Sequence, residues 1–287
     1  MPFSRKVFVK IDGVPQFDQL RVSFNIHKSL TPNINTASIT VYNLDKATRR
    51  SLIDDSTHKI ELFAGYEQAT RIFVGNTFDV RSSAPGGDTV TRIQCGDGDE
   101  ARELVTNESF GPQISPLDIV RTLASNLQKA GVGIGNLNQA IAEGRFSAQS
   151  QFAAFKNGYA TSSQTIQALT VILRGFGLGW TIQDNEILIL EPAGVLREPP
   201  IVLKEALLSD GTFRVDNKTV LAKTFIDSRI RPGIIAAIDY PAEELSLQGR
   251  CNVVRYVGDN WGQAWYTIAE VQDISTLEKF DYIPLQS

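Results

Sequence analysis

The sequence predicts a mainly β chain that carries a small α+β insert. Three observations carry this reading. Apolar residues alternate with polar ones in short segments up to about residue 96, the pattern of half-buried strands. From about 97 to 195 the spacing becomes helical. From about 196 the alternation returns. The expected organisation is an N-terminal β domain at 1–96, an inserted α+β domain at 97–195 and a C-terminal β domain at 196–287. A length of 287 residues is ample to bury cores of this kind.

In the first stretch, Val7 to Ile11 reads as a strand, and Asp12-Gly13 after it as a hairpin-type turn. Leu20, Val22, Phe24 and Ile26 fall on one face of the next strand, and residues 37–44 alternate again. Asp45 is a good N-cap for a short helix to Ile53. Strands follow at Lys59–Tyr66, Thr70–Gly75 and Thr77–Ser82, then a Pro85-Gly86-Gly87-Asp88 turn and a strand at Thr89–Cys95. Short strands at this spacing predict a sandwich or a barrel.

In the second stretch, Ser115 caps a helix with Pro116 at its first position. Leu117, Val120, Leu123, Ala124 and Leu127 share its apolar face, and Gly131 ends it. Residues 137–143 add a turn or two. Residues 144–159 read as a polar loop. Ser163 is expected to cap a second helix with Ile166, Leu169, Ile172, Leu173 and Phe176 on one face. Asp184-Asn185 then joins two strands, Trp180–Gln183 and Glu186–Leu190, in a two-residue hairpin.

The third stretch opens at Pro199-Pro200. Phe213–Asp216, a turn at Asn217-Lys218, and strands at Val220–Ile226, Ile234–Asp239 and Gly249–Gly258 follow. Residues 259–263 form a hairpin tip, and Ala264–Val271 is the returning strand.

Composition excludes several classes. Lys plus Arg total 28 and Asp plus Glu 32, a formal charge of −4, so the chain is neither a polybasic nucleic-acid binder nor an acidic disordered tail. No stretch approaches the ~20 apolar residues of a membrane-spanning helix. The first ten residues lack the apolar core of a signal peptide, so synthesis in the cytoplasm is expected. Cys95 and Cys251 cannot make a disulfide framework. With only His27 and His58 beside them, no zinc-ligand spacing exists either. Both cysteines are expected as small buried hydrophobes, with a single bridge between them left open as the alternative.

Candidate chemistry is sparse. The Gly131-Val132-Gly133-Ile134-Gly135 run looks like a phosphate loop but follows a helix instead of opening one, so it reads as a helix exit. Asp97-Gly98-Asp99-Glu100 lacks the alternating ligands of a calcium loop, because Ala101 stands at the third position. Asp54, Asp55, Glu191, Glu243 and Glu244 could supply a glycosidase pair, but none sits in a catalytic context. His27 and His58 belong to no triad or metalloprotease motif. Asn107-Glu108-Ser109 and Asn217-Lys218-Thr219 match the glycosylation pattern, without consequence in the absence of a secretory signal. Trp261, Trp265 and Tyr266 could stack sugars or bases, but no basic residues are interleaved, so cross-strand packing is the preferred reading. No catalytic, cofactor-binding or metal-ligating residue is assigned, and no cofactor is expected.

Several segments together carry a resemblance. Val41-Tyr42-Asn43-Leu44 with its short helix, Ile60 to Gly65-Tyr66, and Ile72-Phe73-Val74-Gly75 resemble the opening of phage baseplate hub proteins of the late control protein D type. Helices at 115–130 and 163–176 with the 180–190 hairpin are similar to that family's inserted unit. Arg229-Ile230-Arg231-Pro232-Gly233 and the closing pair Val254–Asp259 and Trp265-Tyr266-Thr267 are similar to its C-terminal part, with Tyr256 where histidine is common.

The resemblance implies two tail-tube-like β-barrel or sandwich domains flanking the insert. It implies a non-enzymatic baseplate hub: a homotrimeric ring that adapts a sixfold tail tube to a threefold spike. Implied partners are further copies of the chain, the tail tube or tube-initiator protein and the spike protein, with tape-measure and wedge proteins as additional neighbours. No nucleic-acid sequence recognition and no membrane span are implied. The implied location is the virion tail baseplate, assembled in the host cytoplasm. Two alternatives stay open: a tail-associated cell-wall hydrolase with carboxylates in the insert or the polar loop, and a carbohydrate-binding tail module using Trp261 and Trp265.

Overall fold

The computed structural model describes residues 4–14, 17, 19–31, 34–54, 57–146, 155–216 and 218–277. In chain order the elements are β1 (Arg5–Ile11), β2 (Val22–Ser29), β3 (Thr36–Tyr42), α1 (Lys46–Asp54), β4 (Lys59–Tyr66), β5 (Gln68–Ser83), β6 (Val90–Gly96), α2 (Asp99–Arg102), β7 (Val105–Phe110), α3 (Pro116–Lys129), α4 (Leu137–Ala142), β8 (Tyr159–Gln164), α5 (Thr165–Gly175), β9 (Gly179–Gln183), β10 (Glu186–Leu190), β11 (Ile201–Val202), β12 (Phe213–Arg214), β13 (Thr219–Thr224), β14 (Ile235–Tyr240), β15 (Leu245–Asp259) and β16 (Trp265–Asp273). The chain is mainly β with a small α+β insert, as its periodicities predict.

One compact unit comprises Ile34–Asp97 and Val195–Leu277 together with the strands before Leu30; the second is built on Gly98–Gly194. In the first unit twelve strands share one sheet, running β1-β4-β5-β6-β3-β2-β15-β16-β13-β12, with β14 and β11 branching from β15. The first and last stretches of the chain meet in this sheet, because β2 pairs antiparallel with β15 from Ser23↔Asp259 to Ser29↔Val253. The path ends at β1 and β12, so the described strands form no closed barrel.

Alternation explains the core. Val7, Val9 and Ile11 of β1 point inward, as do Ile26, Ile39, Leu62, Ile93, Val220, Val254 and Val271 of other strands, and all join one buried cluster. Tyr66 of β4 packs edge-on against Trp265 of β16, with ring centroids 6.4 Å apart, so the sheet curls around its own core. The second unit buries α3 and α5 against β9 and β10 through Leu123, Leu127, Leu169, Leu173, Trp180 and Ile187. Asp184 and Asn185 both have positive φ, as a tight two-residue hairpin requires.

Three local expectations need correction. Asp12-Gly13 turns the chain back to an isolated antiparallel bridge between Phe17 and Val9, but the strand that pairs along β1 is β4, some fifty residues on. The two strands expected at 70–75 and 77–82 are one sixteen-residue strand, β5, which absorbs the interruption as a bulge between Thr77 and Asp79. Ser163 does not cap α5. It lies in β8, and Gln164 precedes the helix without a side-chain cap. The caps at Asp45 and Ser115 are observed: Thr48 N donates to Asp45 Oδ1 at 2.9 Å and Leu117 N to Ser115 Oγ at 3.2 Å. Residues 147–154 of the polar loop, and Asn217 of the Asn217-Lys218 turn, lie outside the described residues.

Candidate functional site

The residues proposed for chemistry from sequence do not converge. In the glycine run, Gly133 N donates to Asn185 O at 2.7 Å and Ile187 N to Gly133 O at 2.9 Å, laying this backbone along β10. A Cβ on Gly135 would sit 1.9 Å from Ile187 O. The glycines therefore allow close strand contact, not phosphate binding. Asp97 is fully buried and accepts from Asn35 Nδ2 at 3.0 Å, while Asp99 and Glu100 lie in the one-turn helix α2. Among the described residues no group of three or more His, Cys, Asp or Glu side chains is placed to hold a metal ion.

His27 lies within β2, between Thr36 of β3 and Arg255 of β15, and not at a strand end as expected, while His58 immediately precedes β4. Burial and the nearby Arg255 hold the His27 imidazole below its ordinary value. His58 is buried with Nδ1 3.2 Å from Asp12 O. Cys95 and Cys251 are buried free thiols. Burial pushes the Cys251 thiol up to about 12 and the Cys95 thiol up as well, so neither is a nucleophile at neutral pH. Asp54, Glu191, Glu243 and Glu244 are exposed, and Asp55 lies outside the described residues. Arg229 pairs with Asp227 at 2.6 Å, and Arg231 pairs with Glu198.

The aromatic candidates separate. Trp265 is 3% exposed, in edge contact with Phe24 at 5.6 Å, whereas Trp261 is 71% exposed at the tip between β15 and β16. Lys223 Nζ lies 4.3 Å over the Tyr266 ring. A flat stacking platform using Trp261 and Trp265 is therefore not formed. The glycosylation-type Asn107 lies in β7, and its Oδ1 accepts from Ser162 Oγ at 2.7 Å.

What the sheet does present is backbone. Hydrogen bonds Glu67 N to Ser4 O and Asp12 N to Lys59 O fix the parity of β1: its even-numbered residues bond to β4, and the N–H and C=O groups of Arg5, Val7 and Val9 point away. Val9 meets Phe17 in an isolated bridge. The remaining segment, Arg5 to Phe8, lines a groove of about 590 Å³ together with Glu67, Gln68, Ala69 and Asn260. The Arg5 side chain is held aside, donating to the carbonyls of Asp259 at 3.2 Å and Gly262 at 2.5 Å.

The other end of the sheet is similar in kind. Val215 N donates to Thr219 O at 2.9 Å, so Phe213 and Val215 bond toward β13 and the N–H and C=O of Arg214 point outward. Phe213 and Val215 are 50% and 53% exposed. Unpaired strand edges flanked by apolar side chains are association surfaces. No sequence motif marks these residues: an edge strand and an interior strand share the same alternation, and only the pairing order tells them apart.

No family model matches the chain, and no curated protein matches it in sequence. Solved structures do match. The 43 kDa tail protein of prophage MuSo2 from Shewanella oneidensis aligns with a TM-score of 0.66 at 8% identity, over 96% of this chain and 100% of that one. A tail protein from Neisseria meningitidis MC58 gives 0.62 at 10% identity, over 96% and 98%. An E. coli component of the type VI secretion system, described as structurally similar to the T4 phage tail proteins gp27 and gp5, gives 0.59 at 10%, over 97% and 80%. Across nearly its whole length, this chain is similar in fold to phage tail proteins and to a type VI secretion component.

Proposed function

We propose that the chain is a structural hub protein of a phage-type tail, working as a homotrimeric ring that joins a sixfold tube to a threefold spike. The observation that carries this reading is the near-complete mutual alignment with the MuSo2 tail protein. In this reading the strand sets β1–β6 and β11–β16 act as two tube-like modules, so three chains present six. The β2–β15 pairing is the joint between modules within one chain. The Arg5–Phe8 edge of β1 and the edge of β12, unpaired among the described residues, suit assembly into a ring, which covers such edges. The role is non-enzymatic, the place is the tail baseplate, and the neighbours are tube, spike, tape-measure and wedge proteins.

Mass measurement in solution, followed by imaging down the symmetry axis, tests this. A trimer with pseudo-sixfold features is expected, and a monomer at every concentration would overturn the reading. Clearing of a peptidoglycan suspension by the purified protein would favour the hydrolase alternative instead.

A further inference from the structure

We propose that copies of this chain join head to tail by strand addition, β12 of one copy pairing antiparallel with the Arg5–Phe8 segment of β1 in the next. This deepens the ring reading and rests on it. The two strands are the opposite ends of one sheet path, so joining them is a heterologous contact, the kind that closes into rings. Backbone parity selects the register. The outward groups of Arg214 face the outward groups of Val7, giving a doubly hydrogen-bonded pair. Phe213 then stands opposite Phe8, Val215 opposite Lys6 and Asp216 opposite Arg5.

That register agrees with the side chains. Phe213 is on the same sheet face as its partner Leu221, the face turned away from the buried Val220 and Ala222. Phe8 is likewise on the face turned away from the buried Val7 and Val9, stacked on Phe63 with ring centroids 4.3 Å apart. Pairing the edges therefore makes one continuous apolar row, Leu221, Phe213, Phe8 and Phe63, across the junction. At its end Asp216 comes opposite Arg5, whose guanidinium stays on the Asp259 and Gly262 carbonyls and so leaves the edge clear for the incoming backbone. The groove along Arg5–Phe8 gives the incoming strand room. Each copy has one β1 edge and one β12 edge, so every junction is the same and none is left over when the ring closes.

The test is the oligomeric mass of the full chain by mass photometry across a dilution series, with far-UV circular dichroism and thermal unfolding as fold controls. The wild type is expected at three times 31.6 kDa. Arg214→Pro removes an outward N–H that β13 does not use, so a folded monomer is expected. Val215→Lys sets two lysines opposite each other and should dissociate at several-fold lower dilution; adding Lys6→Glu should restore the wild-type curve. This charge pair decides the matter if the proline variant fails to fold. A wild-type trimer unmoved by either substitution overturns this junction while leaving the ring reading standing. A wild-type monomer at all concentrations overturns both.

Discussion

Arg21 grips Asp259 with two parallel hydrogen bonds, Nε to Oδ1 at 3.2 Å and Nη2 to Oδ2 at 2.7 Å, although 238 residues separate them in sequence. The guanidinium also lies 4.5 Å over the Tyr42 ring. Asp259 Oδ1 further accepts from the N–H groups of Trp261 and Gly262, so one carboxylate organises the tip between β15 and β16 and ties it to the start of β2.

The Arg21 hydrogen bonds, with those two backbone donors, hold the Asp259 carboxyl below the usual carboxylate range. A depressed folded pKa adds stability above the unfolded value and loses it as pH falls through the folded value. Asp259→Asn should therefore lower stability by about 1–3 kcal/mol at pH 7, and the difference from wild type should shrink as the pH drops below about 4. Urea unfolding at pH 7 and at pH 3 checks this; an equal loss at both would rule out the ionic origin.

Tyr256 is 1% exposed, and its hydroxyl donates to Ile230 O at 2.5 Å, fastening the Arg229–Gly233 turn onto β15. Tyr256→Phe leaves that buried carbonyl without this donor and should cost about 1–3 kcal/mol. Tyr256→His, which places the residue common in the resembling family, should cost more, since the shorter ring leaves a void. Denaturant midpoints of the three proteins give the ranking.

Gly135 has φ +48° and meets the Ile187 carbonyl, while a Cβ on Gly133 would meet the flexible Glu186 side chain at 3.2 Å and the Asn185 carbonyl at an ordinary 3.6 Å. Gly135→Ala should destabilise the second unit by about 2 kcal/mol or more, and Gly133→Ala by less than about 1 kcal/mol. Hydrogen exchange of the β9 and β10 amides distinguishes them. Equal protection in both variants contradicts the close-approach argument.

Trp265→Ala empties a core position and should cost about 3–5 kcal/mol, whereas Trp261→Ala should stay within about 0.5 kcal/mol. Iodide should quench Trp261 fluorescence and leave the Trp265 contribution intact. A carbohydrate that protects Trp261 from iodide would revive the binding-module alternative.

Cys95 and Cys251 should resist a thiol reagent at pH 8 in the native protein and react together on unfolding, because burial both blocks access and suppresses the thiolate. Stoichiometric labelling without denaturant would show that the sheet opens.

Local signals were legible because they act within a few residues. The alternation at Leu20–Ile26, the Asp45 and Ser115 caps and the Asp184-Asn185 turn each rest on backbone geometry that neighbouring residues dictate. The same locality explains the errors. Nothing near Asp12-Gly13 records that β1 will pair with Lys59–Tyr66, and nothing near Thr77 says whether β5 breaks or bulges.

By itself, then, the sequence determined most of the strands and helices and the faces they turn to a core, since periodicity and capping are short-range physics; it did not mark β7 and β8, which pair with each other across some fifty residues. Tertiary structure alone decided that β2 pairs with β15, that Arg21 reaches Asp259, and that β1 and β12 end the main path of the sheet among the described residues. Strand order is set by hydrogen bonds between residues far apart in the chain, and a strand carries the same pattern of side chains whether its edge is paired or bare.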